Sequence, residues 1–293
     1  MTARPGEGTA GPPGPGAAAA PGMAGGPRTT PADVAHGWSN AEAFDSHCHL
    51  DLLDPPMPQV LADAAAAGIN RVVTVGYNLE SSRWAAQCAA DHPAVAAAVA
   101  IHPNETGAAG DGAFEQIARL ASLPHVRAIG ETGLDYYRDW SDRGVQRDWF
   151  RAHIGLAKQM GKALVIHDRE AHGDVLRILA DEGPPPRVVF HCFSGDEEMV
   201  KVCAAAGYVM SFAGNVTFAN AGPLREAARA VPPGLLLVET DAPYLTPVPY
   251  RGKPNAPAMI PYTLRCIAEV KGIDPAELAA DVMLTGERVF GPW

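Results

Sequence analysis

Asp45-Ser46-His47-Cys48-His49-Leu50 follows an apolar entry, Ala43 and Phe44, and so reads as the C-terminal end of a first strand. Side chains alternate along a strand, which puts His47 and His49 on one face, about 7 Å apart, and Cys48 on the other. Two imidazoles so placed can converge on one divalent cation. Such a pair also arises by chance in a chain with 10 histidines. The weight therefore falls on what the rest of the chain brings to the same place.

Working outward, short β-rich runs alternate with helix-length stretches. The runs are 43–49, 71–76, 95–102, 126–131, 163–167, 187–192, 208–212 and 235–240. The helix candidates are 56–67, 80–91, 112–122, 146–160, 170–181, 196–206, 224–230, 260–271 and 275–290. Several runs are nearly continuous in Val, Ile, Leu and Ala, as parallel strands buried on both faces require. Eight strand–helix units predict an α/β fold of the (β/α)8 TIM-barrel type. A doubly wound open sheet would ordinarily begin with a Gly-rich phosphate turn, and none follows the first strand.

Function in such a barrel gathers at the C-terminal ends of the strands. His47 and His49 end the first, Glu131 the fourth, His167 the fifth and His191 the sixth, and Asp241 follows the eighth. Four imidazoles and two carboxylates suit two borderline divalent ions, drawn from Mg²⁺, Mn²⁺ and Zn²⁺. The assignment puts one ion between His47, His49 and Asp241 and a second between His167 and His191, with Glu131 bridging them. Ions about 3.5–4 Å apart activate water at neutral pH. Asp241 is placed to take its proton, so Glu131 and Asp241 are the catalytic candidates. Each residue also has a bland reading: a hydrogen-bonded core histidine, or a carboxylate capping the next turn. Six independent reasons would then have to coincide at one rim.

The totals set bounds. At 293 residues the chain can bury a full core, and no apolar run is long enough to span a bilayer. A net charge of −10 argues against wrapping nucleic acid on a basic surface. A phosphate substrate stays open, because bound metals supply positive charge locally. The five cysteines show no C-x-x-C spacing and read as reduced thiols of a cytoplasmic protein. Residues 1–40 are crowded with Gly, Pro and Ala and cannot offset their own ordering entropy, so a disordered tail is expected before a single domain at 41–293. The tail lacks a secretory signal, and Met23 offers an alternative translation start.

These residues also carry a family resemblance. DSHCHL (45–50), GETGLD (130–135), HDREA (167–171), HCFSG (191–195), ETDAPYLTP (239–247) and RGKPNAP (251–257) resemble, in order, the motifs of TatD-type metal-dependent deoxyribonucleases. The similarity spans about residues 43–290 and implies a TIM-barrel hydrolase that cuts phosphodiesters, typically of DNA, with divalent ions. In that family the matching His, His, Glu, His, His and Asp bind the metals. Two departures stand out: Ala100-Ile101-His102-Pro103 replaces the usual Gly-x-His-Pro, and Thr285-Gly286-Glu287 stands where an Asn is common.

Further residues are placed by position. Arg169 either forks onto a phosphate or forms a surface salt bridge, and His102 either contacts substrate or supports a ligand. Asp135 is suited to orient a ligand imidazole. Glu239 should point into the barrel, beside the first ion or an arginine. Tyr244, Tyr250, Arg251, Lys253 and Asn255 form a loop with aromatics and cations suited to a single-stranded DNA end, or one that only closes the rim. His36, His92, His125, His153 and His172 read as bystanders, and Cys48 and Cys192 as core packing. Attack on a carbonyl is the competing chemistry, by an amidohydrolase-like enzyme or a D-aminoacyl-tRNA deacylase. Many such enzymes bridge their ions with a carbamylated Lys, which the strand-four end lacks. A non-catalytic metal-binding scaffold is a third possibility, disfavoured by the complete ligand set.

Overall fold

Eight parallel strands follow one another around one sheet in chain order. They are β1 Ala43–Cys48, β2 Ile69–Val75, β3 Val95–Val99, β4 Val126–Asp135, β5 Ala163–Arg169, β6 Val188–Phe190, β7 Val209–Phe212 and β8 Leu236–Val238. The helices are α1 Met57–Ala66, α2 Leu79–Asp91, α3 Ala113–Ala121, α4 Arg143–Met160, α5 His172–Glu182, α6 Glu197–Ala205, α7 Gly222–Ala230, α8 Ile260–Lys271 and α9 Pro275–Phe290. This is the expected TIM barrel. The computed structural model describes residues 42–138 and 140–292, so the tail at 1–40 and the Met23 start lie outside the described residues. Among those residues no helix is long and apolar enough to cross a membrane.

Strands such as Val95–Val99, wholly buried, leave polar groups to the helix starts. Asn78 and Ser81 cap α2 reciprocally, and the Asp142, Asp196 and Asp274 side chains accept the first free N–H groups of α4, α6 and α9. The circle closes just past β8. Asp241 N–H donates to the His47 carbonyl (2.9 Å) and His49 N–H to the Ala242 carbonyl (2.8 Å). Fully buried Asp45 adds to the seam, accepting the Thr240 hydroxyl at 2.6 Å and the Thr240 N–H at 3.0 Å. At the other end α9 packs on β1, with the Phe44 and Phe290 rings stacked at 5.7 Å. The unusual Thr285-Gly286-Glu287 fits this contact: a Cβ at Gly286 would come within 3.3 Å of the Phe44 ring, and Glu287 pairs with Arg71.

One boundary departs from expectation. β4 does not end at Glu131 but continues to Asp135, with a register break between Ile129 and Thr132. Beyond the break, Thr132, Gly133, Leu134 and Asp135 pair with Ile166, His167, Asp168 and Arg169. The glycines of Gly130-Glu131-Thr132-Gly133 serve close approach between strands. A Cβ on Gly130 would stand 2.5 Å from the Val165 Cβ, and one on Gly133 2.1 Å from the His167 carbonyl oxygen. Among the described residues all five cysteines are free, and Cys48 is core packing as expected, its thiol 3.5 Å from the Val73 carbonyl.

Candidate metal centre

Glu131 stands at the middle of the mouth, nearly buried, and its two oxygens face different partners. Oε1 lies 3.5 Å from His49 Nε2 and 3.8 Å from His47 Nε2. Oε2 lies 3.0 Å from His191 Nε2 and 3.3 Å from His167 Nδ1. Asp241 Oδ1 completes the first group, 3.6 Å from His49 Nε2 and 3.9 Å from His47 Nε2. Asp241 adopts φ 53°, a left-handed conformation that residues with side chains seldom take and that sets its carboxylate beside β1. Donor atoms about 2.0–2.1 Å from a tetrahedral ion stand about 3.4 Å from one another. The separations here bracket that value, so both groups fit a cation.

The lone pairs point the right way. His49 Nδ1 donates to the Val75 carbonyl at 3.0 Å, which leaves its Nε2 unprotonated toward Glu131 and Asp241. His191 Nδ1 faces Glu239 Oε1 at 3.3 Å, and His167 Nε2 faces Asp135 Oδ2 at 3.4 Å, so Nε2 and Nδ1 respectively are the inward acceptors. Neither ring nitrogen of His47 has a hydrogen-bond partner although the ring is fully buried. A bound cation is a natural partner for such a lone pair.

Charge follows the geometry. Burial would raise the Glu131 carboxyl, yet the imidazoles around it, His102 and His191 first, hold it well below the usual carboxylate range. Burial and the neighbouring His191 push His47 well below the ordinary imidazole value, so it is neutral. His191 shifts upward against its burial, because Glu131 and Glu239 flank it. Burial pushes Asp241 up to about 6, despite the opposing pull of His49 and His191.

His102 differs from the others. Its Nε2 lies 3.8 Å from Glu131 Oε2, close enough to be grouped with Glu131 and His167 as a ligand set. However, its Nδ1 accepts the Asn104 N–H at 3.0 Å. Burial, with the charge of His167, lowers it to about 3, so the ring is neutral and its one proton is on Nε2. A protonated nitrogen is a donor and not a ligand. His102 thus presents an N–H to the mouth.

A TatD-related DNase family model matches residues 44–291. The chain belongs to this family. It is 45% identical over 258 residues to an uncharacterized metal-dependent hydrolase TatD of Mycobacterium tuberculosis, covering 84% of this chain and 97% of that one. A 3'-5' ssDNA/RNA exonuclease TatD of Citrobacter rodentium is 36% identical over 239 residues, covering 80% and 91%. The crystal structure of YJJV, a TatD homolog from Escherichia coli K12, superposes with a TM-score of 0.82 at 25% identity, covering 87% of this chain and all (100%) of that one. As a TatD-family protein this chain is a metal-dependent hydrolase.

In this TatD-family barrel the six sequence-selected ligand candidates meet at one mouth, while other expectations shift. Glu239 is fully buried but partners neither an arginine nor the first group; it accepts the Cys192 N–H at 2.8 Å and holds His191. Asp135 does address His167, and also accepts Asn104 Nδ2 at 2.8 Å. The loop after β8 disperses. Tyr250 packs on Tyr262 (5.2 Å), Arg251 lies over Phe218 (4.3 Å), and Asn255 turns inward to the Thr240 carbonyl at 2.9 Å. Tyr244 remains beside His49, ring centroids 6.2 Å apart. Arg169 stacks over Tyr137 at 4.0 Å.

His153, read as a bystander, is a structural keystone. Neutral, with burial lowering it to about 4, its Nε2 accepts Ile101 N–H at 3.4 Å and its Nδ1 donates to Thr132 Oγ1 at 2.9 Å. It therefore ties together the neighbours of His102 and Glu131. Its place on the apolar stripe of Phe150, Ile154 and Ala157 was the available signal. His172 likewise bonds Asp168, next to His167, at 2.8 Å. Asp135→Asn is expected to weaken metal binding about 10- to 100-fold, by loosening the His167 ring. Metal titration monitored by calorimetry checks it, and unchanged affinity would show that Asp135 only anchors its loop.

Proposed function

We propose that Glu131, with His47, His49 and Asp241 on one side and His167 and His191 on the other, would hold two divalent ions, and that the chain hydrolyses phosphodiester bonds of DNA from a strand end. The observation that carries this is the division of Glu131 between His47, His49 and Asp241 on one side and His167 and His191 on the other. When bound, such ions supply Lewis acidity and lower the pKa of water. The chain's own groups do the rest. Asp241, whose Oδ1 faces His49 and His47, is the carboxylate placed to take a proton. His102 offers its Nε2–H to a phosphate oxygen. His49 and His191 are kept in their acceptor tautomers by Val75 and Glu239. The C. rodentium relative, named as a single-strand exonuclease, supports the substrate class.

The test is a 5'-labelled single-stranded DNA incubated with protein and Mn²⁺ or Mg²⁺. The expected result is a ladder that shortens progressively from one end. An intact oligonucleotide under every metal, together with hydrolysis of an aminoacyl ester or an amide, would replace this reading with the carbonyl one.

A further inference from the structure

Two large rings in the loop after β4 are more than half exposed: Tyr137 at 59% and Trp140 at 54%. Each carries a guanidinium on its face. Arg169 lies 4.0 Å from the Tyr137 ring and Arg138 4.3 Å from the Trp140 ring. A third, Arg143, lies 4.2 Å from Tyr136 beside them. In a chain of net charge −10 this gathers cations and flat rings in one short loop after β4 and at the end of β5.

The loop is rooted in the catalytic machinery. Tyr137 and Arg138 N–H groups donate to Asp135 Oδ1 at 3.0 and 2.9 Å, while Asp135 Oδ2 faces His167 Nε2 at 3.4 Å. One carboxylate thus fixes both the rings' backbone and an imidazole of the second group. At the other end Ser141 Oγ accepts Gly107 N–H at 2.9 Å and donates to the Asn104 carbonyl at 3.2 Å, binding the loop to the segment that carries His102. Across the mouth Tyr244, 54% exposed, stands beside His49 of the first group.

We infer that Tyr137 and Trp140, backed by Arg169 and Arg138, form a platform on which the unpaired bases of a single-stranded nucleic acid stack next to the bond being cut. A base presents a π-face whatever its identity, and a guanidinium stacked on a ring keeps its in-plane N–H groups for phosphate oxygens. The inference rests on the nucleic-acid reading of the same site. It moves the expected stacking surface from the 244–255 loop, where Tyr250 is taken up by Tyr262, to the loop after β4.

The experiment measures binding of a fluorescein-labelled, phosphorothioate-linked octathymidylate to the manganese-loaded full chain by anisotropy. Tyr137→Ala and Trp140→Ala are each expected to bind about tenfold more weakly, the scale of one lost base–ring stack. Tyr137→Phe, which keeps the ring, should bind like wild type. Leu284→Ser, at an exposed site on α9, serves as control, and equal melting midpoints show that the variants fold. Wild-type affinity in both alanine variants, or an equal loss in Tyr137→Phe, overturns the platform while leaving nuclease activity standing. A wild-type chain that neither binds the oligonucleotide nor shortens DNA removes the nucleic-acid reading, and the platform with it.

Discussion

Glu131→Ala is expected to lower DNA hydrolysis by at least about 10³-fold, and to reduce bound metal from about two ions per chain to less than one. The reason lies in position more than charge. His47 and His49 can reach an ion without Glu131, as can His167 and His191, but each pair would then have lost its near-central oxygen. Glu131 also opposes the crowding of four imidazoles. His47 and His191 stack at 3.9 Å, and protonating both without a carboxylate between them is costly. Mass-spectrometric metal counting beside turnover checks both halves. Glu131→Gln separates charge from shape: its amide fills the space but offers one neutral oxygen, so turnover should fall nearly as far. Full activity in either variant would mean that the bridging carboxylate is another group.

Gly133→Ala is expected to unfold the barrel rather than trim it, costing about 3 kcal/mol or more in a denaturant titration. Gly133 has φ 136°, and its new Cβ would meet the His167 carbonyl at 2.1 Å and Ile166 Cγ2 at 3.1 Å. The first obstacle is backbone in the middle of a parallel pair, so relief requires β4 and β5 to separate. Separation would carry His167 away from Glu131, and metal affinity should fall in whatever protein still folds. Gly155→Ala provides the contrast. That residue lies on an exposed turn of α4 with nothing within 4 Å of the added Cβ, so a neutral or slightly stabilising change is expected. Equal midpoints for the two variants would show that β4 and β5 tolerate a wider spacing than described.

Much of the candidate site was legible because its residues end strands, and strand ends in this architecture converge. His167 and His191 each follow an apolar run that can be seen by eye, and His47 and His49 follow the short apolar entry of Ala43 and Phe44. Asp135 was legible as a group to orient a ligand imidazole, and Glu239 as a carboxylate facing inward, but the partner of Glu239 was not: Glu239 lies 48 positions from the ring it holds. His153 was missed for the opposite reason. A lone histidine on an amphipathic helix has many uses, and its two bonds, to Ile101 and Thr132, come from strands that the helix meets only after folding. The extension of β4 past Glu131 was hidden because Gly133 shows its tolerance for a neighbouring backbone only once β5 is beside it.

The amino-acid order alone determined the barrel and the kinds of atoms at its mouth, since nearly continuous apolar runs and strand-end chemistry are local properties. Tertiary structure decided how those atoms are shared: which Glu131 oxygen serves which imidazoles, why His102 is a donor while His49 and His191 are acceptors, and where exposed rings meet cations. The physical reason is that a tautomer or a bridging geometry is set by hydrogen-bond partners far away in the chain, such as Val75, Asn104 and Glu239, and no local pattern encodes their distance.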